Sequence, residues 1–92
     1  MEYTPLVKPP SSRCLKSGRV VLEPGESVGE HVTEDREEML VVLKGTATLM
    51  DEGKSFLLEE GETYYISEGK KHNVKNETDM VLEYVYVVSL FS

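Results

Sequence analysis

The chain contains a single cysteine, Cys14, so no internal disulfide can form, which fits a reducing compartment. No partner for that thiol is evident, and it reads as a small, half-buried side chain. Long apolar runs are also missing. The longest, MLVVL at 39–43, is far short of the roughly 20 residues a membrane span needs. The opening stretch MEYTPLVKPPSS has neither the basic start nor the apolar core of a secretion signal, and the expected location is cytoplasmic. Positive charge is scarce. Ten basic residues stand against seventeen acidic ones, for a net charge of −7. Such a surface repels phosphate backbones and anionic membranes, which argues against nucleic acid or a membrane as a partner. Histidine is rare as well: only His31 and His72 occur, so their placement carries information.

The 92 residues are enough for one domain. A domain of this size buries only about 60–65% of the surface its unfolded chain exposes. Its core is therefore thin, and pairing with a second copy is expected. Pro5, Pro9 and Pro10, with Ser11 and Ser12, make residues 1–12 an irregular or extended lead-in to a domain over 13–92. Turn signals then recur at short intervals, as EPGES, KGT, DEGK, EEGE, SEGKK and KNETD. Short runs rich in valine, leucine, threonine and tyrosine separate them. Many short strands at this spacing predict an all-β sandwich or barrel.

The clearest hairpin is GTATLMDEGKSFLL. Ala47 and Leu49 alternate with Thr46, Thr48 and Met50 up to a turn at 51–54, and Phe56 and Leu58 alternate on the return. The last strand, within 80–91, puts Leu82, Tyr84, Tyr86 and Val88 on one face and Glu83, Val85, Val87 and Ser89 on the other. It is too apolar to be a bare edge, so it should be paired or covered. EDREEMLVVLKG admits a helix, with charges first and Gly45 as the stop. Its adjacent valines and strand-like continuation favour a strand.

Alternate residues of a strand face one way. His31 and Thr33 then share a face. So do Glu38, Leu40 and Val42, and so do His72, Val74 and Asn76. If Leu40 and Val42 point inward, Glu38 does too. A carboxylate inside an apolar barrel is costly unless something pairs with it, and a divalent cation removes that cost.

These stretches resemble the cupins, small barrels of the double-stranded β-helix or jelly-roll type. The first cupin motif runs G, five residues, H-x-H, three or four residues, E, six residues, G. GESVGEHVTEDREEMLVVLKG matches it with Gly25, His31, Glu38 and Gly45, and with Thr33 at the second histidine's place. The second motif runs G, five residues, P-x-G, two residues, H, three residues, N. GETYYISEGKKHNVKN matches it with Gly61, Gly69, His72 and Asn76, and with Ser67 replacing the proline. The resemblance covers residues 19 to about 88 and implies metal ligands at His31, Glu38 and His72. Thr33 lies at a degenerate ligand position that lines the site. Two histidines and a carboxylate suit iron(II), manganese or zinc and leave positions open for water and substrate. The alternative is a pocket in which both histidines persist without metal.

Glu34, Asp35 and Glu37 read as a solvated turn. Lys70 and Lys71 either draw an anion to the barrel mouth or only solubilise a turn. Tyr64, Tyr65, Tyr84 and Tyr86 are packing residues, one of which could line a substrate pocket. Met39, Val41 and Leu43 face out of the barrel in a stripe that predicts a homodimer. Two functions follow. One is a metal-dependent enzyme acting on a small molecule by isomerase-, dioxygenase- or decarboxylase-type chemistry. The other is a non-catalytic module that binds a sugar or organic acid.

Overall fold

The computed structural model describes residues 1–91. These form nine strands and no helix: β1 (Glu2–Val7), β2 (Leu15–Leu22), β3 (His31–Val32), β4 (Arg36–Lys44), β5 (Ala47–Asp51), β6 (Lys54–Leu58), β7 (Thr63–Ile66), β8 (Lys71–Lys75) and β9 (Leu82–Leu90). One sheet has the order β1-β2-β9-β4-β7 and the other β3-β8-β5-β6. Every pairing is antiparallel. The strand and turn pattern predicts an all-β sandwich or barrel, and these two sheets form one, of the jelly-roll type that the motif resemblance implies.

The two sheets close over a core supplied by alternate residues. Val20 and Leu22 of β2, Leu40 and Val42 of β4, and Leu82 and Tyr84 of β9 come from the first sheet. Ala47, Leu49 and Val74 meet them from the second. Leu22, Leu49, Ile66 and Leu82 are completely buried. Burying a side chain of this size stabilises the fold by roughly 1.5–3 kcal/mol.

The segment that admits a helix is strand β4. It pairs with β9 on one side and β7 on the other, so its ladder groups are satisfied as an inner strand. Strand β9 lies between β2 and β4, which covers both edges of the stickiest stretch in the chain. The hairpin turn falls at Glu52 and Gly53, with φ of 51° and 81°. Two successive left-handed residues make the tight turn that matches the twist of a β-ribbon.

Within the extended lead-in over 1–12, β1 is hydrogen-bonded to β2 from Glu2↔Val21 to Val7↔Ser17. Pro5 is tolerated because β1 is an edge strand. Cys14, expected to be half-buried, is exposed, because it lies outside the alternating part of β2.

Candidate metal centre

His31, Glu38 and His72 come from three different strands and meet at one end of the barrel. His31 on β3 is the direct cross-strand neighbour of His72 on β8. Their rings meet edge to face, with centroids 4.1 Å apart. Glu38 reaches the same point from β4 in the opposite sheet. One ligand atom from each of the three residues lies within 4.8 Å of the other two.

Local hydrogen bonds fix both imidazoles. His31 Nδ1 lies 2.9 Å from the Gly29 carbonyl oxygen, and His72 Nδ1 lies 3.3 Å from that of Lys70. A carbonyl only accepts, so each Nδ1 carries the proton and each Nε2 keeps its lone pair when the ring is neutral. This is the tautomer a metal requires, and a backbone carbonyl is a common outer partner of a metal-bound histidine. His72 Nε2 is buried and has no hydrogen-bond partner. Glu38 Oε1 faces it at 3.6 Å, beyond hydrogen-bonding distance. An unsatisfied nitrogen and a carboxylate across such a gap are what a bound cation would reconcile. The donor set therefore fits a divalent ion.

Electrostatics agree with the geometry. Burial works against the charged form of His72. The Glu38 carboxylate, the Lys70 carbonyl and the charge of Asp51 outweigh it and hold its pKa above the ordinary histidine value. Positive charge at this spot is thus favoured, whether it arrives as a proton or as an ion.

Residues 18–88 match the family described as the cupin domain. The chain is a cupin. A predicted oxalate decarboxylase of Thermotoga maritima superposes with a TM-score of 0.90 and 26% identity, over 97% of this chain and 79% of that one. A Cupin 2 conserved barrel domain protein of Salinispora arenicola gives 0.84 at 26% identity, over 95% and 73%. The cupin domain of an XRE family transcriptional regulator from Enterobacter cloacae gives 0.88 at 16% identity, over 99% and 97%, a likeness of fold alone. The comparison with curated proteins gave no match.

In this cupin, Thr33 is buried, 2% exposed, where the motif has a second histidine. Its hydroxyl oxygen lies 3.2 Å from His72 Nδ1 and shares that proton with the Lys70 carbonyl. Its backbone is held on both sides. Thr33 N–H donates to Lys70 O at 3.2 Å, and Gly69 N–H donates to Thr33 O at 2.7 Å. Thr33 therefore braces His72 from the side opposite Nε2. Ser67 replaces the motif proline without loss of the bend, because Gly69 takes φ of 84°. Asn76 is structural. Its amide nitrogen donates to the carbonyls of Leu22 and Met80 at 3.0 and 2.7 Å, which fastens the end of β8 to the other sheet.

The three candidate ligands open onto a cavity of about 380 Å³. Tyr84 and Tyr86 line it, which settles which of the four tyrosines face the site; Tyr64 and Tyr65 do not. Lys70 and Lys71 do not line it either, and Lys71 is exposed. The turn carboxylates Glu34 and Asp35 are exposed as expected, and Glu37 turns outward to accept a hydrogen bond from the Tyr65 hydroxyl at 2.7 Å.

Sequence reasoning missed several residues of the cavity. Tyr3 of β1 lies over Gly18 and hydrogen-bonds the Tyr86 hydroxyl, with the two rings stacked 6.1 Å apart. Lys16 and Arg36 also reach the cavity. Arg36 precedes Glu38 by two positions, so strand parity already carried a signal for it. Asp51 sits opposite His72 across β5 and β8. Its Oδ2 accepts from the Tyr64 hydroxyl at 2.8 Å, while Oδ1 is buried without a partner.

Proposed function

We propose that this cupin holds a divalent transition ion on His31, Glu38 and His72 and uses it to bind and act on a small molecule in the barrel cavity. The observation that carries the reading is the buried, unpartnered His72 Nε2 facing Glu38, beside a second histidine whose Nδ1 is likewise tied to a carbonyl. A bound ion would supply Lewis-acid or oxygen-activating chemistry. The chain's own residues have simpler duties. Thr33 and the Lys70 carbonyl hold the His72 ring, and Tyr84, Val74 and Val88 keep the inner cavity wall apolar. Isomerase-, dioxygenase- and decarboxylase-type reactions all suit such a centre, and the likeness to a predicted oxalate decarboxylase supports the last of these. The fold itself does not select among them.

The test is isothermal titration of manganese, iron(II) and zinc into metal-free protein. One ion per chain, with binding abolished in His72→Ala, supports the reading. Failure of all three ions to bind overturns it and leaves the second reading, a metal-free module for a sugar or organic acid. The replacement of a ligand histidine by Thr33 favours that alternative.

The same reading includes a homodimer of a cytoplasmic protein. Met39 and Leu43 are 43% and 47% exposed. Across the outer face Met39 pairs with Tyr65 and Val87, and Val41 pairs with Val85, so the apolar stripe continues onto the two neighbouring strands.

A further inference from the structure

Two cations share the cavity with the candidate metal ligands, and among the described residues no carboxylate forms an ion pair with either. Lys16, Val88 and Glu38 form one row across β2, β9 and β4, all on the inner face. Arg36 occupies the next inner position of β4, opposite Leu90. Both cations line the cavity and both are partly buried. Among the described residues the ion pairs are Met1–Glu26, Arg19–Glu83 and His72–Glu38. Arg36 spends only its Nε, on the Glu34 carbonyl at 3.1 Å, and its terminal nitrogens have no partner among the described residues. This is unexpected in a chain with seventeen acidic and ten basic side chains. Glu38 shares the cavity, yet it faces His72, and among the described residues no carboxylate lies within ion-pair distance of Lys16 or Arg36. Holding charge against walls of valine and tyrosine is costly unless an anion answers it.

We propose that the cavity binds a small organic anion whose oxyanion group, a carboxylate or a phosphate ester, is held by Arg36 and Lys16 while the rest of the molecule points toward His31, Glu38 and His72. The proposal rests on the metal reading of the same cavity and names the class of molecule it takes. The guanidinium edge of Arg36 suits a bidentate oxyanion, and Lys16 adds a second positive charge to the lining of the same cavity. A cavity of about 380 Å³ admits a compact molecule. Val20, Val88 and Tyr84 offer apolar contact to its body. Neutral sugars would leave both cations unanswered.

The test measures binding to manganese-loaded protein by calorimetry in three arms. The first uses carboxylates from acetate and pyruvate to benzoate. The second uses their primary amides, and the third uses phosphate monoesters such as glycerol phosphate. At least one anion is expected to bind about 10-fold or more tightly than its neutral counterpart. Arg36→Gln should remove that preference, a loss of about 10–100-fold, Arg36→Lys should restore part of it, and Lys16→Met should weaken it independently. The stronger of the first and third arms identifies the oxyanion. Amides that bind as well as acids, an anion preference that survives both Arg36→Gln and Lys16→Met, or no anion binding at millimolar concentration would overturn the proposal. Manganese titration of each variant separates the two claims. Loss of anion preference with metal binding intact refers to Arg36 and Lys16. Absence of metal binding in the unmutated chain refers to the centre, and the three arms are then run on the metal-free protein.

Discussion

At the scale of residues, the centre depends on how one imidazole is held. His72 is 1% exposed and receives support on its Nδ1 side from two oxygens, the Lys70 carbonyl and the Thr33 hydroxyl. Thr33→Val keeps the shape and removes one of these. We expect it to cost about 1 kcal/mol in stability and to weaken metal binding about 10-fold. Denaturant unfolding and a metal titration on the same variant check both. A valine variant with unchanged metal affinity would reduce Thr33 to a filler. In the metal-free protein, the His72 ring should titrate above the ordinary histidine range, as its surroundings dictate, which NMR of the ring protons measures. Because its folded pKa is raised, His72 contributes stability fully present below the unfolded value, near 6.5, and lost as pH rises through the folded value. His31, Glu38 and His72 were legible in the sequence because motif spacing and strand parity both point at them. Lys16, Arg36 and Tyr3 were not. Parity says which side of a strand a residue faces, but not which strands lie beside it. Only the sheet order brings β2 next to β9 and then β4, and so sets Lys16 in line with Glu38.

At the scale of elements, the turns fix the register that brings the candidate ligands together. Gly45 and Gly53 both take positive φ, at 83° and 81°. Their surroundings differ. A Cβ on Gly53 would meet nothing, whereas one on Gly45 would run into the carbonyl oxygen of Val81 and the backbone of Leu82. Gly53→Ala should therefore cost about 1 kcal/mol, the price of the left-handed conformation alone. Gly45→Ala should cost about 2–4 kcal/mol, because backbone must also move. Thermal melts of the two variants side by side give the ranking, and equal losses would contradict it. The hairpin, β4 and β9 were legible because alternation and turn residues agree there. Strand β1 was hidden by Pro5 and by its poor burial. It is an edge strand with exposed residues at all but its last position, so it carries no alternating apolar signal.

At the scale of the whole molecule, the small core and the apolar outer face belong together. Among the described residues, the inner faces of the two sheets supply twelve buried apolar side chains, a modest core for a marginally stable fold. The outer face of the larger sheet leaves Met39, Leu43 and Tyr65 exposed. Light scattering at micromolar concentration should give twice the 10.4 kDa chain mass. Met39→Lys should shift that toward the monomer by placing charge in the centre of the patch. A monomeric unmutated chain would refute the dimer and leave the metal centre untouched, since His31, Glu38 and His72 all lie within one barrel. The central claim is that three side chains from separate strands enclose a cation. The most direct measurement is anomalous diffraction from a crystal soaked in manganese or zinc. We predict one strong peak about 2 Å from His31 Nε2, His72 Nε2 and a Glu38 oxygen. A peak only at the exposed carboxylates of Glu34, Asp35 and Glu68, or no peak at all, would contradict it.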